Sequence, residues 1–326
     1  MLKKLSKQGE YTHFLVISII LLIFYFTPPV QFTSDFEAGY MGPIGIWLTN
    51  YAMAYPIYAK IISMIIIIFI SLYINRTTAS SDIFPKQSFL SATLLTSFLL
   101  FSPPFPDLAA GIALVVLLGF CLGSMINMFG KQYPYLQVLN ASMAVALASM
   151  IIPHAILFMV FIWFAFFTYS VNSWREWIIS IIGLLIPYLY MFFAYFWNNN
   201  LDYIFKFYES IYFTGFFNFN MPSVYFTASL SLLLVFFVIS AFSFTNEASD
   251  KIISIRKRMW LIFQFSLICS VIIMLGTSAS FIFILLLYMP LAVMVTYSVH
   301  NQKKSRIFDV LITMFVISVL INRIFA

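Results

Sequence analysis

The sequence predicts an all-α fold, a polytopic transmembrane helical bundle of about 11 spans in which residues 1–326 form a single integral membrane domain. Two observations predict it. Hydrophobic residues make up 63% of the chain and charged residues only 9%, whereas soluble domains are nearer half apolar and about a quarter charged. The apolar residues also fall in long blocks between short polar islands, which is typical of a chain that is solvated by lipid.

The spans are predicted from the apolar blocks, taken in chain order. The first block is longer than a signal-peptide core and is not closed by a cleavage site of small residues, so we expect it to be retained. Pro153 separates two short blocks, which we expect to form a hairpin. The predicted spans are residues 11–30, 53–75, 88–103, 107–129, 138–152, 154–172, 178–197, 222–244, 259–275, 279–299 and 307–323.

The basic residues predict the orientation, because Lys and Arg concentrate in cytoplasmic loops. If the N-terminus is cytoplasmic, 14 of the 17 basic residues fall on the cytoplasmic side: Lys3, Lys4, Lys7, Arg76, Lys86, Lys131, Arg175, Lys251, Arg256, Lys257, Arg258, Lys303, Lys304 and Arg306. These residues are spread over the islands rather than gathered in one patch, so no nucleic-acid partner is predicted. The partners that we expect are membrane lipid and other membrane proteins, and the expected location is the bacterial inner membrane.

This orientation defines three segments outside the spans. Residues 31–52 form the first extracytoplasmic loop, which contains two acids and no basic residue, and residues 245–258 form a basic cytoplasmic loop. Residues 198–221 form an extracytoplasmic amphipathic segment. Lys206 lies four residues after Asp202 and three residues before Glu209, so the three side chains share one helical face.

Motifs of soluble enzymes are missing from the sequence. There is no glycine-rich phosphate loop, no metal-binding His pair on a helix and no Cys-x-x-Cys. Cys121 and Cys269 both lie inside apolar blocks, where we expect them to be small buried hydrophobic side chains. No metal site and no cofactor are predicted.

The stretch "TSDFEAGY" places two acids in the first outer loop, Asp35 and Glu37. Side chains at i and i+2 of an extended segment project to the same face, so the two carboxylates can converge on one proton or one cation. Alternatively, they only keep the loop hydrated. Asp107 and His154 follow in other outer turns, where the same two interpretations apply.

Lys60 lies inside the second predicted span, about seven residues beyond the first loop. A lysine at the centre of a bilayer costs about 2.5–3.5 kcal/mol on insertion scales. Its ammonium can avoid this cost by snorkelling to the outer headgroups, or it can bind a lipid phosphate there. The sequence leaves both interpretations open.

Residues 85–197 resemble an uncharacterised family of multi-spanning bacterial inner-membrane proteins. The resemblance is carried by "FPKQSFLSATLLTSFLLFSPPFPDLAAGIALVVLLGF" and by "SVNSWREWIISIIGLLIPYLYMFFAYFW", in which Trp-Arg-Glu-Trp precedes an apolar span. It implies a location in the inner membrane and no particular activity.

The placement of Asp35-Phe36-Glu37 directly after the first span also resembles the architecture of GT-C type membrane glycosyltransferases. That resemblance implies transfer of a sugar from a polyprenyl-phosphate carrier at the outer leaflet. Asp35 or Glu37 would be the general base, and Lys60, Asp107 and His154 would bind substrate. The alternatives are a non-enzymatic subunit of an envelope or secretion complex and a transporter, so whether the chain is an enzyme stays open.

Overall fold

The computed structural model describes residues 10–26, 41–83, 88–100, 108–171, 173–202, 224–274, 282–301, 309–311 and 313–314. These residues are overwhelmingly helical, and none of them lies in a β-strand. The helices are α1 (Glu10–Phe26), α2 (Pro43–Ala54), α3 (Pro56–Ser80), α4 (Leu90–Leu100), α5 (Leu108–Ile126), α6 (Tyr135–Ile151), a 3-10 turn (Pro153–Leu157), α7 (Phe158–Tyr169), α8 (Trp174–Trp197), α9 (Val224–Ala248), α10 (Ile253–Met274) and α11 (Phe283–Asn301).

Five of the described helices are long and apolar enough to cross a membrane: α3, α8, residues 231–248 of α9, α10, and residues 283–300 of α11. The other described apolar helices are shorter than the roughly 20 residues that cover a hydrocarbon core of about 30 Å. This agrees with the predicted all-helical membrane fold at the level of fold class.

Helix α11 forms the centre of the bundle, because 94% of its spanning segment is buried. It contacts α3, α4, α5, α9 and α10. Its large side chains Tyr288 and Tyr297 are almost completely enclosed, and Ser298 accepts a 3.0 Å hydrogen bond from the hydroxyl of Ser243 on α9. Both cysteines are fully buried, as the sequence predicts.

Helix α8 lies at the periphery, and only 17% of its spanning segment is buried. Its buried face is small or polar and consists of Glu176, Ser180, Gly183 and Pro187. Its large apolar side chains face outward instead. A helix that turns small residues inward and large apolar residues outward has the pattern of a membrane bundle, in which lipid is as apolar as leucine and close helix contact supplies the stability.

Apart from Lys60, the basic residues of the described chain lie at one end of the bundle, which we name the basic end. Arg258, near the start of α10, donates a hydrogen bond from Nη1 to the carbonyl of Ser81 at the end of α3, at 2.9 Å. Its neighbour Lys257 reaches the hydroxyl of Ser170 at the end of α7, at 3.4 Å. These contacts bring the ends of α3 and α7 to the start of α10.

Two predicted loops are shorter than the sequence suggested. Helix α9 continues to Ala248 and α10 begins at Ile253, so most of the predicted basic loop 245–258 is helical. Residues 43–52 of the predicted first loop are helical as well, in α2. Most of the predicted last span, residues 307–323, and of the amphipathic segment lies outside the described residues.

Candidate functional site at the α2 end of the bundle

Helix α2 is a short helix that two prolines delimit. Pro43 occupies its first turn, where the missing N–H has no helical partner in any case. The helix ends before Pro56, because a proline restricts the backbone of the residue that precedes it, here Tyr55. Pro56 is also the first residue of α3, as Pro43 is of α2. The Pro-x12-Pro spacing in the sequence therefore fixes both ends of α2.

The start of α2 is attached to the end of α6. The backbone N–H of Gly42 donates a 2.8 Å hydrogen bond to the carbonyl of Ile151. A Cβ on Gly45 would lie 2.6 Å from the same carbonyl oxygen. The start of α2 is therefore too close to the backbone of α6 for a side chain at this position. We call the end of the bundle that contains α2 and the end of α6 the α2 end.

His154 lies at this end, three residues after Ile151. It is the second residue of the 3-10 turn and is only 9% exposed. The carbonyl of Ile152 accepts a 2.9 Å hydrogen bond from the N–H of Ala155. This bond closes the backbone turn that contains His154. The turn thus holds His154 at the corner of the bundle to which α2 is attached.

Lys60 also lies near the α2 end, on the second turn of α3, and its side chain is half-buried. Because α3 starts at Pro56 and rises about 1.5 Å per residue, the Cα of Lys60 is roughly 6 Å along the helix from its first residue. The three predicted acids Asp35, Glu37 and Asp107 lie outside the described residues. The structure therefore locates two of the five predicted site residues, and both are at this end.

An exposed row of aromatic side chains runs from α2 into α3. Trp47 stacks on Tyr51 with ring centroids 6.1 Å apart, Tyr51 meets Tyr55 at 5.4 Å, and Tyr55 meets Tyr58 at 6.3 Å. Their exposed fractions lie between 39% and 65%. Aromatic rings exposed together in this way are typical of the interface between membrane and water.

The end of α8 lies across a groove from α2. Asn199 takes the left-handed conformation, with φ of 53°. The N–H of Asn200 then bonds the carbonyl of Tyr195 at 3.0 Å, and that of Asn199 bonds Phe196 at 3.1 Å. This pair of bonds is a Schellman motif, which satisfies the last carbonyls of the helix and fixes the direction in which the chain leaves it.

A groove lies between these two elements, which we name the α2–α8 groove. Its volume is about 390 Å³, and it is shallow and largely open. Its lining residues are Pro43, Ile46, Trp47 and Asn50 of α2, with Tyr195 and Asn200 at the end of α8. The groove was not predicted from the sequence, because nothing in the sequence shows that α2 and the end of α8 are neighbours.

Glu176 is a buried carboxylate that the sequence analysis left without a role. It is 4% exposed, lies in the first turn of α8, and accepts a hydrogen bond from the hydroxyl of Ser173. The Ser-x-x-Glu spacing at a helix start is the pattern of a capping box and could have identified it. A carboxylate there is favoured by the positive end of the helix dipole, so Glu176 stabilises the helix start.

No group of three or more His, Cys, Asp or Glu side chains that could hold a metal ion is found within the described ranges. The described residues at the α2 end offer an imidazole, an ammonium, and the amides and aromatic rings of the groove. No family model, no curated protein and no solved structure matches this chain.

Proposed function

We propose that this chain is a multi-spanning membrane enzyme, a GT-C-like glycosyltransferase that uses a polyprenyl-phosphate-linked donor at the outer leaflet of the bacterial inner membrane. The observation that carries the proposal is the hydrogen bond between Gly42 and Ile151. It attaches the chain that follows the acid-rich segment to the corner of the bundle that contains His154.

The covalent chain limits how far the acids can be from this corner. Glu37 is five residues from Gly42 and Asp35 is seven, and an extended chain spans at most about 3.6 Å per residue. The Cα of Glu37 is thus within roughly 18 Å of Gly42 and that of Asp35 within roughly 25 Å. These limits support a site at the α2 end that includes both acids.

The proposed roles follow from the chemistry of each side chain. Asp35 or Glu37 is the general base that takes the proton from an acceptor hydroxyl. Lys60 supplies a compact positive charge for the phosphate of the donor. His154 and Asp107 bind substrate beside them. The proposal needs neither a metal ion nor another cofactor.

The proposed orientation has the N-terminus in the cytoplasm and about 11 spans. It is supported by the basic end of the bundle, which contains Arg258 and Lys257. Lys60 lies at the opposite end, near the start of α3. Aromatic side chains such as Trp47 and Tyr58 occupy the end that we propose to face outward. Lys and Arg on the cytoplasmic side and aromatic residues at the interface are the usual distribution for a membrane protein.

The experiment is a comparison of variants in cells that lack the native chain. We expect Asp35→Asn combined with Glu37→Gln to abolish the change in surface glycans that the native chain restores. The matched control is Asp202→Asn, which removes an exposed acid five residues beyond the end of α8. Native glycans in cells with the double variant, at equal protein level, would show that the acids have no catalytic role.

The second candidate is a non-enzymatic subunit of a membrane complex. The outward face of α8 favours it, because Leu189, Tyr190, Phe193 and Trp197 are each more than half exposed. Such a face suits either lipid or the helix of a partner. Recovery of a stoichiometric membrane partner in mild detergent, lost when Phe193 and Trp197 are changed to Ala, would favour this function over the enzyme.

A further inference from the structure

The α2–α8 groove combines a small volume with a neutral, mixed lining. Its volume of about 390 Å³ is near the lower end of the range of about 300–1,000 Å³ found for small-molecule sites. None of its six lining residues is charged. A ligand of this groove is therefore small and does not depend on a net charge for recognition.

The polar groups of the groove are suited to hydroxyls. Asn50 and Asn200 each carry a carboxamide, which offers two N–H donors and a carbonyl acceptor. Among the described residues neither carboxamide takes part in an intramolecular hydrogen bond. A hydroxyl both donates and accepts, so the carboxamides of two residues that line one groove can bind several hydroxyls of the same molecule.

The apolar part of the groove is a rigid surface. The indole of Trp47 is 65% exposed and is held by its stacking on Tyr51, while Pro43 and Ile46 complete the α2 side. A ring that has hydroxyls at its edge and C–H groups on its face can pack that face on an indole. Sugar rings have this combination of an apolar face and a polar edge.

Both walls of the groove are fixed before a ligand arrives. The hydrogen bond of Gly42 to Ile151 holds α2, and the Schellman motif of α8 holds the backbone of Asn200. A site whose donors are already in position loses less conformational entropy when it binds.

We infer that the α2–α8 groove binds an uncharged sugar ring at the membrane surface. The aromatic row that continues from Trp47 to Tyr58 places the mouth of the groove at the depth of the headgroups. The ring can belong to a glycolipid or to a free sugar, which present the same chemistry. Its identification as a substrate of sugar transfer rests on the proposed function, whereas its binding does not.

The test measures binding on the purified full-length protein in lipid nanodiscs, where no turnover is needed. Saturation-transfer NMR reports binding of methyl glucoside, and a photoreactive glucolipid followed by peptide mapping reports the lipid-linked form. We expect at least one probe to bind, and crosslinks to map to residues 43–50 or 195–200. Combining Asn50→Leu with Asn200→Leu should weaken that binding at least tenfold.

Asn140→Leu is the matched control, because Asn140 is exposed on α6 near its start, away from the groove. It should leave binding unchanged, and the melting temperature of each variant verifies folding. Binding of the glucolipid alone assigns the ring to a lipid, and binding of both probes assigns it to the sugar itself. If neither probe binds, or if the Asn50 and Asn200 double variant binds as the wild type does, the inference is wrong.

The two proposals fail separately. Sugar binding together with unchanged surface glycans in the Asp35 and Glu37 double variant would retain the groove and overturn the transferase. Altered glycans without sugar binding would retain the transferase and overturn the groove.

Discussion

Gly183 of α8 faces Ser142 of α6 so closely that the two helices leave no room for a side chain between them. A Cβ at Gly183 would meet the hydroxyl of Ser142, and it would lie 3.1 Å from both the Cβ of Ser142 and the carbonyl of Leu139. The hydroxyl of Ser142 is already bonded to the carbonyl of Val138 at 2.9 Å. Small residues at a close crossing are the usual means by which helices associate in a membrane.

We expect Gly183→Ala to separate α6 from α8 and to destabilise the fold by about 1–3 kcal/mol, as overpacking of a tight contact does. The measurement is the melting temperature in a mild detergent. Leu185→Ala on the outward face is the control, because Leu185 is 48% exposed and has little to lose. Equal melting temperatures for the two variants would mean that the crossing is not tightly packed.

The bond between Ser149 and Tyr188 joins the same two helices farther along. Their hydroxyl oxygens are 2.7 Å apart. We expect a double-mutant cycle with Ser149→Ala and Tyr188→Phe to give a coupling of about 0.6 kcal/mol, the average found for hydrogen bonds between membrane helices. Additive effects of the two substitutions would show that this bond does not contribute to stability.

Two glycines are required for different physical reasons, and their alanine variants should differ. Gly42 has an ordinary φ of −66°, but a Cβ there would lie 2.5 Å from the carbonyl carbon of Met150. Gly130 has open space around it, but its φ is +82°, in the left-handed region. A backbone obstacle cannot move aside, whereas a left-handed alanine costs about 1–2 kcal/mol.

We therefore expect Gly42→Ala to detach α2 and to abolish the proposed activity, and Gly130→Ala to lower the melting temperature while activity is kept. Proteolysis of the purified variants near residues 41–55 measures the detachment directly. If Gly42→Ala is cleaved no faster than Gly130→Ala, the hydrogen bond to Ile151 does not anchor α2.

Arg258 should stabilise the basic end through its geometry as well as its charge. Its guanidinium lies 5.3 Å from the centroid of the Phe129 ring and donates to the carbonyl of Ser81. We expect Arg258→Met to cost about 1–2 kcal/mol, because a hydrogen bond and a cation–π contact are lost together. Arg258→Lys should recover only part of this loss, since an ammonium cannot make both contacts in the same way.

The control for this prediction is Arg256→Met, which removes the same charge two residues earlier on α10. It should change the melting temperature much less. If Arg256→Met and Arg258→Met are equally destabilised, the effect belongs to the net charge of the basic end and not to the contacts of Arg258.

At the α2 end, the sequence predicts part of the candidate site but not the groove. Charge placement and the proline at 153 were sufficient to expect Lys60 and His154 at one end of the bundle. The groove was missed, because Asn50 and Asn200 are 150 residues apart in the chain, and only the tertiary structure brings them to the same groove. Conversely, the site roles of Asp35, Glu37 and Asp107, which lie outside the described residues, stay predictions.

The sequence by itself determined that the chain is helical, where most of the helices lie and that several of them are apolar enough for a membrane. Prolines, polar islands and long apolar blocks are local features, so they act before any tertiary contact forms. Only the tertiary structure decided that α11 is the central helix, with 94% of its spanning segment buried, and that α8, with 17%, is peripheral. Both helices are long and apolar enough to cross a membrane. Because lipid and the protein interior are similarly apolar, the overall hydrophobicity of a helix does not show whether it is central or peripheral, and close packing decides.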